Sequence, residues 1–181
     1  MDFVLKKELS NFYLVYVNVL TPKKFNEARN FNYSKNIVVV KSHDEEISRA
    51  SFENKNVDIF IPESSNDKDF IHFRKSELNQ VLCKLAKKNN IAIGFGFSYL
   101  VNSEKREILL GRMMQNVFLC RKYKLKIVLG SFANKDIELR NKSELMSFGK
   151  VIGMNGNEIK QSLNFRKKED LIKKIKWGFI L

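Results

Sequence analysis

The feature that most constrains what this 181-residue chain can fold into is a repeated order. Short, nearly continuous apolar runs alternate with longer polar stretches of helical period. "FYLVYVNVL" (Phe12–Leu20) is β-branched and aromatic, and Thr21-Pro22 then offers a helix cap and a proline at the first helical position. "NIVVVKS" (Asn36–Ser42) comes next, and Asp44 heads the helical stretch "DEEISRASFENKN", which places acids in the first turn, where the helix dipole favours them. "VDIFIP" (Val57–Pro62), "IAIGFGFS" (Ile91–Ser98) and "KIVLGS" (Lys126–Ser131) supply three more apolar runs. Strands apolar on both faces belong inside a parallel sheet covered by helices. "FVL" (Phe3–Leu5) and "KVIGM" (Lys150–Met154) are candidates for a sixth and a seventh strand. This pattern suits a small or incomplete β/α barrel or a doubly wound open sheet, and by itself leaves both open. Without linker-like composition or any repeat beyond the β/α rhythm, residues 1–181 read as a single α/β domain.

The helical stretches have their own signals. A polar, irregular insert runs from Glu63 to Lys75, and Ser76 is expected to cap a helix with apolar positions Leu78, Val81, Leu82, Leu85 and Ala86. A longer helix is expected over about 104–124, with shorter ones near 143–150, 156–164 and 168–176. In the last, "RKKEDLIKKIKW", the positions Leu171, Ile172, Ile175 and Trp177 suggest docking by an apolar face. Cys83 and Cys120 fall inside helical patterns with no metal-ligand spacing and read as reduced, packed thiols. No apolar run approaches the roughly 20 residues that span a bilayer, and "MDFVLKKELS" lacks the order of a signal peptide. The expectation is a cytoplasmic protein without membrane contact.

Charge narrows the function classes. Lys and Arg number 33 against 20 Asp and Glu, a net charge of +13, and such a field favours polyanions, nucleic acid first. The competing reading is a basic solvated surface set by overall composition. Gly94 and Gly96 form a GxG, but Tyr99 stands where a dinucleotide fingerprint needs its third glycine, and the glycines lie inside a strand. They are better read as sharing one face, where a neighbour can approach closely. There is no GxxxxGK[ST]. The two histidines, His43 and His72, are far apart, which leaves little for a metal-dependent hydrolase, and Ser131 has no evident histidine partner. Catalysis by this chain is not supported.

What remains is basic residues at strand ends and helix starts: Arg106 after "YLVNS", and Lys135 and Arg140 in the loop between "KIVLGS" and the serine, Ser143, that would cap the next helix. Arginine suits bidentate phosphate contacts, and helix N-termini add oriented N–H groups. A solvated face is the alternative for each of the three.

The succession "SELNQVLCKLAKKNNIAIGFGFS" and "NSEKREILLGRMMQNVFLCRKYKLKIVLGSFANKDIELRNKSELMSFGKVIGM", covering about residues 57–165, resembles the ribonuclease P protein component 3 family of archaea, shared with eukaryotes. The resemblance implies a TIM-type β/α barrel, short or incomplete here, and a metal-ligand-poor relative of PHP-type phosphoesterase barrels. It implies a protein subunit of ribonuclease P that supports the catalytic RNA in removing the 5′ leader of precursor tRNA. Its partners would be that RNA, precursor tRNA indirectly, protein component 2 and other holoenzyme proteins. No cofactor would be bound by the chain itself, and magnesium would accompany the RNA. Carried over by position, Arg106, Arg112 and Arg140 match the basic positions, and Asn79, Ser131 and Ala133 match the polar and small ones. Asn79, Gln80, Arg106, Arg112, Ser131, Lys135 and Arg140 make the candidate RNA-binding or loop-ordering set. Gln80 stands where many relatives have histidine, and Lys142 stands where proline is common, which implies a looser loop. The alternative function is a barrel enzyme acting on a phosphorylated small molecule, with Ser131 and Arg140 as its phosphate clamp.

Overall fold

A computed structural model describes the backbone of residues 14–18 and residues 37–63, 68–69, 71–72, 74–133 and 135–165. Five strands, β1 (Leu14–Asn18), β2 (Ile37–Ser42), β3 (Ile59–Pro62), β4 (Ala92–Gly96) and β5 (Ile127–Gly130), form one sheet in the order β1-β2-β3-β4-β5. Every neighbouring pair is parallel, with Val39 beside Ile59, Ile59 beside Ala92 and Ile93 beside Ile127. The helices are α1 (Glu45–Glu53), α2 (Gln80–Asn89), α3 (Phe97–Val101), α4 (Arg106–Tyr123), α5 (Lys142–Val151) and α6 (Gly156–Ser162), with a 3-10 turn at Asp136–Glu138. Successive strands are successive neighbours, so the described sheet winds in one direction and lacks the order reversal of a doubly wound sheet.

Period-two alternation sorts the strand side chains into two cores. Val38, Val40, Phe60, Ile93, Phe95 and Leu129 pack with the helices through Ile47, Phe52, Leu82, Cys83, Val117 and Cys120. Ile37, Val39, Ile59, Ile61, Ala92, Val128 and Phe132 form a second buried cluster on the other face. Gly94 and Gly96 lie on that second face, as their spacing suggests. A Cβ at Gly94 would come within 2.7 Å of Ile61 Cγ1, and one at Gly96 within 2.6 Å of the Tyr99 ring and 3.1 Å of Phe132 Cβ. Their bareness is a packing requirement.

Helix ends show where local rules compete. Asp44 caps α1 as expected, accepting from the Ile47 amide at 2.9 Å. The expected Ser76 cap is replaced by Asn79, which accepts from Leu82 N at 2.9 Å, while Ser76 Oγ donates to Leu78 O. The expected Ser143 cap is likewise replaced by Asn141, which forms a capping box with Glu144, both bonds 2.8–2.9 Å. Lys142 is therefore the first helical residue, a position where proline is tolerated, and the capping box holds this turn without one. Val81 is exposed rather than packed, because the buried stripe of α2 runs through Leu82, Cys83 and Ala86. Lys150–Met154 is not a strand. It is the end of α5 closed by a Schellman motif, with Gly153 at φ 87°, Met154 N donating to Gly149 O at 2.9 Å and Gly153 N to Lys150 O at 3.0 Å. Phe97 and Ser98, expected in a strand, already belong to α3. Phe3–Leu5, the helix after Thr21-Pro22 and the helix near 168–176 lie outside the described residues.

Cys83 and Cys120 are both buried and free of disulfides. Burial pushes the Cys83 thiol up to about 11, and burial together with the neighbouring Cys83 raises Cys120 still more clearly. Both thiols should therefore resist a thiol-exchange reagent at mildly alkaline pH in the native protein and react rapidly after denaturation. Gly94→Ala should lower the urea midpoint by the equivalent of about 1–3 kcal/mol, because a β-branched strand neighbour has no room to move.

Candidate functional site at the carboxyl ends of the strands

The loops that follow β2, β3, β4 and β5 gather at one end of the sheet, and most of the candidate residues lie there. Ser131, directly after β5, is buried, and its Oγ accepts a hydrogen bond from the Arg140 amide at 2.9 Å. Its carbonyl accepts from Ser98 N at 3.0 Å, and Ser98 Oγ donates to Phe132 O at 2.7 Å. Phe132, fully buried, holds φ at 46°, in the left-handed region that costs a non-glycine residue roughly 1–2 kcal/mol. Its ring lies parallel to Tyr99, centroids 6.3 Å apart. The start of α3 and the loop after β5 are thus stitched together by main-chain and serine bonds.

Arg140 belongs to the same stitch. Its Nη1 donates to Ile137 O at 2.8 Å and to Leu139 O at 2.7 Å, and its guanidinium stands 4.8 Å from the centroid of the Phe97 ring. It orders its own loop. Arg106, the first residue of α4, is exposed and reaches back to Val101 O at 2.8 Å. Lys135 is exposed at the start of the 3-10 turn. Asn79 is occupied as the α2 cap, and Gln80 is exposed at the first turn of that helix. Ala133 is buried at the loop edge.

Arg112 is the residue whose setting the sequence conceals most. On α4 and only 2% exposed, it donates from Nε to Asp69 Oδ1 at 2.8 Å. Asp69 comes from the polar insert after β3 and also accepts from Lys75 N at 3.0 Å. Arg74 of the same insert donates to Gly111 O at 2.7 Å, lying so close over the helix that a Cβ on Gly111 would meet its guanidinium at 2.7 Å. The insert is therefore clamped to α4. Arg112 is turned inward to hold a loop and away from solvent. Burial opposes the Asp69 charge, but Arg112, the Lys75 amide and nearby Arg74 outweigh it and hold its carboxyl below the usual carboxylate range.

Residues that sequence reading passed over line the mouth of this end. A cleft of about 400 Å³ is bordered by Lys41, Glu63, Tyr99, Asn102 and Ser103. Lys41 pairs with Glu63 and places its ammonium 4.5 Å from the Tyr99 ring centroid. Asn102 Nδ2 donates to the buried Glu138 at 2.9 Å. Nothing in periodicity marks Glu138 or Asp69, since a carboxylate in a polar stretch reads as solvated until its partner is placed. Among the described residues, no three His, Cys, Asp or Glu side chains gather as a metal site.

Arg112→Ala removes the buried guanidinium that holds the partly exposed Asp69 carboxylate and should cost about 2 kcal/mol in chemical denaturation. The folded pKa of Asp69 lies below its unfolded value, so its contribution is fully present above roughly pH 4 and disappears as pH falls through the lowered folded value. Wild type should accordingly lose more stability than Arg112→Ala on acidification from about pH 6 to about pH 3.

Comparison with known proteins identifies relatives of this chain. The family model described as RNase P subunit p30 matches residues 6–169, extending the likeness well beyond residues 57–165. Proteins called Ribonuclease P protein component 3 are similar along much of the chain. The Methanosarcina acetivorans protein is 34% identical over 136 residues, 74% of this chain and 54% of that one. The Methanosarcina mazei protein is 34% identical over 150 residues, 82% and 59% of the two chains. The Thermococcus gammatolerans protein is 32% identical over 168 residues, 89% and 75%. The matched part thus spans little more than half the length of the Methanosarcina relatives. Among solved structures, a chain of the cryo-EM structure of archaeal Ribonuclease P with mature tRNA shares the fold with a TM-score of 0.70 at 20% identity, over 92% of this chain and 68% of that one. By the extent of the family match and the identity to these relatives, the chain belongs to the RNase P subunit p30 family.

Proposed function

We propose that this chain is a protein subunit of ribonuclease P, supporting the catalytic RNA in removing the 5′ leader of precursor tRNA. The observation that carries the reading is the family match across residues 6–169. The net charge of +13 is what a subunit seated among RNA phosphates needs, since each neutralised phosphate releases counterions. The chain works by electrostatic and structural support, in the cytoplasm, with protein component 2 and the other holoenzyme proteins as neighbours. The magnesium of the holoenzyme serves the RNA. No described helix is long and apolar enough to cross a membrane.

Within this reading the sheet is part of a TIM-type β/α barrel, related to PHP-type phosphoesterase barrels but poor in metal ligands. Its support is the unidirectional strand order and the burial of strand side chains on both faces. The loops after β3, β4 and β5 then form the barrel's functional end, with Lys135, Arg106 and Gln80 exposed on it. Asn79, Arg112, Ser131 and Arg140 keep those loops in place.

Cleavage of precursor tRNA by the cognate catalytic RNA, at limiting magnesium and with component 2 present, tests the proposal. Adding this chain should lower the magnesium requirement or raise the rate, and Lys135→Ala should reduce that gain several-fold without moving the melting temperature. No gain from a folded, partner-bound chain would remove the subunit reading. Turnover of a phosphorylated small molecule in the absence of RNA would replace it with an enzyme.

A further inference from the structure

We infer that a cleft at the amino end of β5, between the end of α4 and α6, is a second binding site, for the phosphodiester backbone of a single-stranded RNA segment. The inference rests on the proposed role at RNA and adds a surface at the opposite end of the sheet. The cleft has a volume of about 510 Å³, and its lining includes Arg121, Lys124, Lys126, Gln161, Asn164 and Phe165. Lys124, Lys126, Gln161 and Asn164 are exposed, so two ammonium groups and two amides can reach a ligand. Leu125, Ile127 and Phe165 are half-buried and give an apolar floor for a sugar or base, the combination that single-stranded nucleic acid uses.

The local balance of charge favours an anion. Glu158 is the one carboxylate among the described lining residues, against three cations. Both its oxygens are occupied, by Arg121 Nε and Nη2 at 2.8 Å each and by the Asn155 amide at 2.8 Å. Arg121 holds its carboxyl below the usual range despite burial. Lys124 and Lys126 therefore face the cleft with no second acid in its described lining. At the carboxyl end of the strands Arg112, Arg140 and Lys41 are engaged with a carboxylate, loop carbonyls or a neighbouring ion pair, as Arg121 is in the cleft by Glu158 and the Gly153 carbonyl. Lys135 and Arg106 are exposed cations at that end.

Lysines at helix C-termini are ordinarily explained by the helix dipole, and that explanation suffices for Lys87, Lys88 and Lys122. The dipole favours a cation at Lys124 too, but it does not account for a lysine in a left-handed backbone. This residue closes α4 in a Schellman motif, with Leu125 N donating to Cys120 O at 2.9 Å and Lys124 N to Arg121 O at 3.2 Å, and holds φ at 53°. The same place after α2 is taken by Asn90 and after α5 by Gly153, residues suited to a left-handed backbone. A lysine held there at a backbone cost, beside a cleft with two further cations, points to use of its charge. Its carbonyl also accepts from Lys87 Nζ at 2.8 Å, which joins the ends of α2 and α4 beside the cleft.

The test compares equal losses of charge at two places. The full chain is titrated against a labelled oligouridylate over a series of salt concentrations. Lys124→Gly with Lys126→Gln should reduce the slope of log affinity against log salt by about 1.4, twice the value of about 0.7 for one single-strand phosphate. Arg49→Gln with Lys84→Gln, two exposed helix positions, removes the same charge away from the cleft and should change the slope by less than half as much. The Lys124→Gly variant alone should melt no lower than wild type, because glycine relieves the left-handed backbone, so weaker binding by it cannot be ascribed to unfolding. Equal behaviour of the two double variants would mean that the overall field, not the cleft, binds RNA, and would overturn the inference. The same proteins in the precursor-tRNA assay keep the two ideas apart. A chain that stimulates cleavage while both double variants titrate alike loses only the cleft. A wild-type chain that gives no stimulation loses the subunit role, and the oligouridylate slopes still decide the cleft.

Discussion

The arrangement of the carboxyl-end loops depends on how Phe132 is seated. After β5 the chain places a fully buried aromatic ring against Tyr99 and beside Gly94 and Gly96, where any side chain would collide with Ile61, the Tyr99 ring or Phe132 itself. That seat requires a left-handed backbone at a phenylalanine. Ring burial, worth roughly 1.5–3 kcal/mol, is large enough to offset the strain. Ser98 and Ser131 then bond across the same corner, and the Arg140 amide bonds to the Ser131 hydroxyl. Remove the space above the glycines and this corner has nowhere to go.

A second constraint is the disposition of positive charge. The chain carries a large excess of cations, yet several of those near the strand ends are committed to structure. Arg112 anchors the insert through Asp69, Arg74 reaches a helix carbonyl over a bare glycine, and Arg140 satisfies two carbonyls of its own loop. Arginine suits this work because a planar fork of donors can serve several acceptors and still stack on an aromatic ring. Lysines, compact charges on flexible stems, predominate instead at the helix ends before β4 and β5, where solvent can reach them. Arginine locks loops on this scaffold, and exposed lysine supplies field.

Much of the architecture was legible in the sequence because its signals are local. The five described strands coincide with the five apolar runs, since a strand buried on both faces has to be apolar throughout. Asp44 announced α1, and the period-two spacing of Gly94 and Gly96 announced a crowded face. The misreadings have a common form. Ser76 and Ser143 looked like caps, but an asparagine in reach of the right amide competed successfully in both cases. "KVIGM" has strand composition, yet Gly153 ends a helix there. Val81 fits a helical stripe that lies a little to one side of the one actually buried.

The sequence by itself determined the β/α rhythm, the family and the cationic character of this protein, because periodicity, composition and ordered motifs survive without coordinates. Only the tertiary structure decided what each cation does. Arg112 and Arg106 both read as basic residues on one helix. Yet Asp69, more than forty positions away, meets one of them, and Val101, five positions away, meets the other. Whether a guanidinium binds a loop or greets solvent depends on which acceptors the fold carries to within 3 Å of it, and that distance is not written in the spacing of residues along the chain.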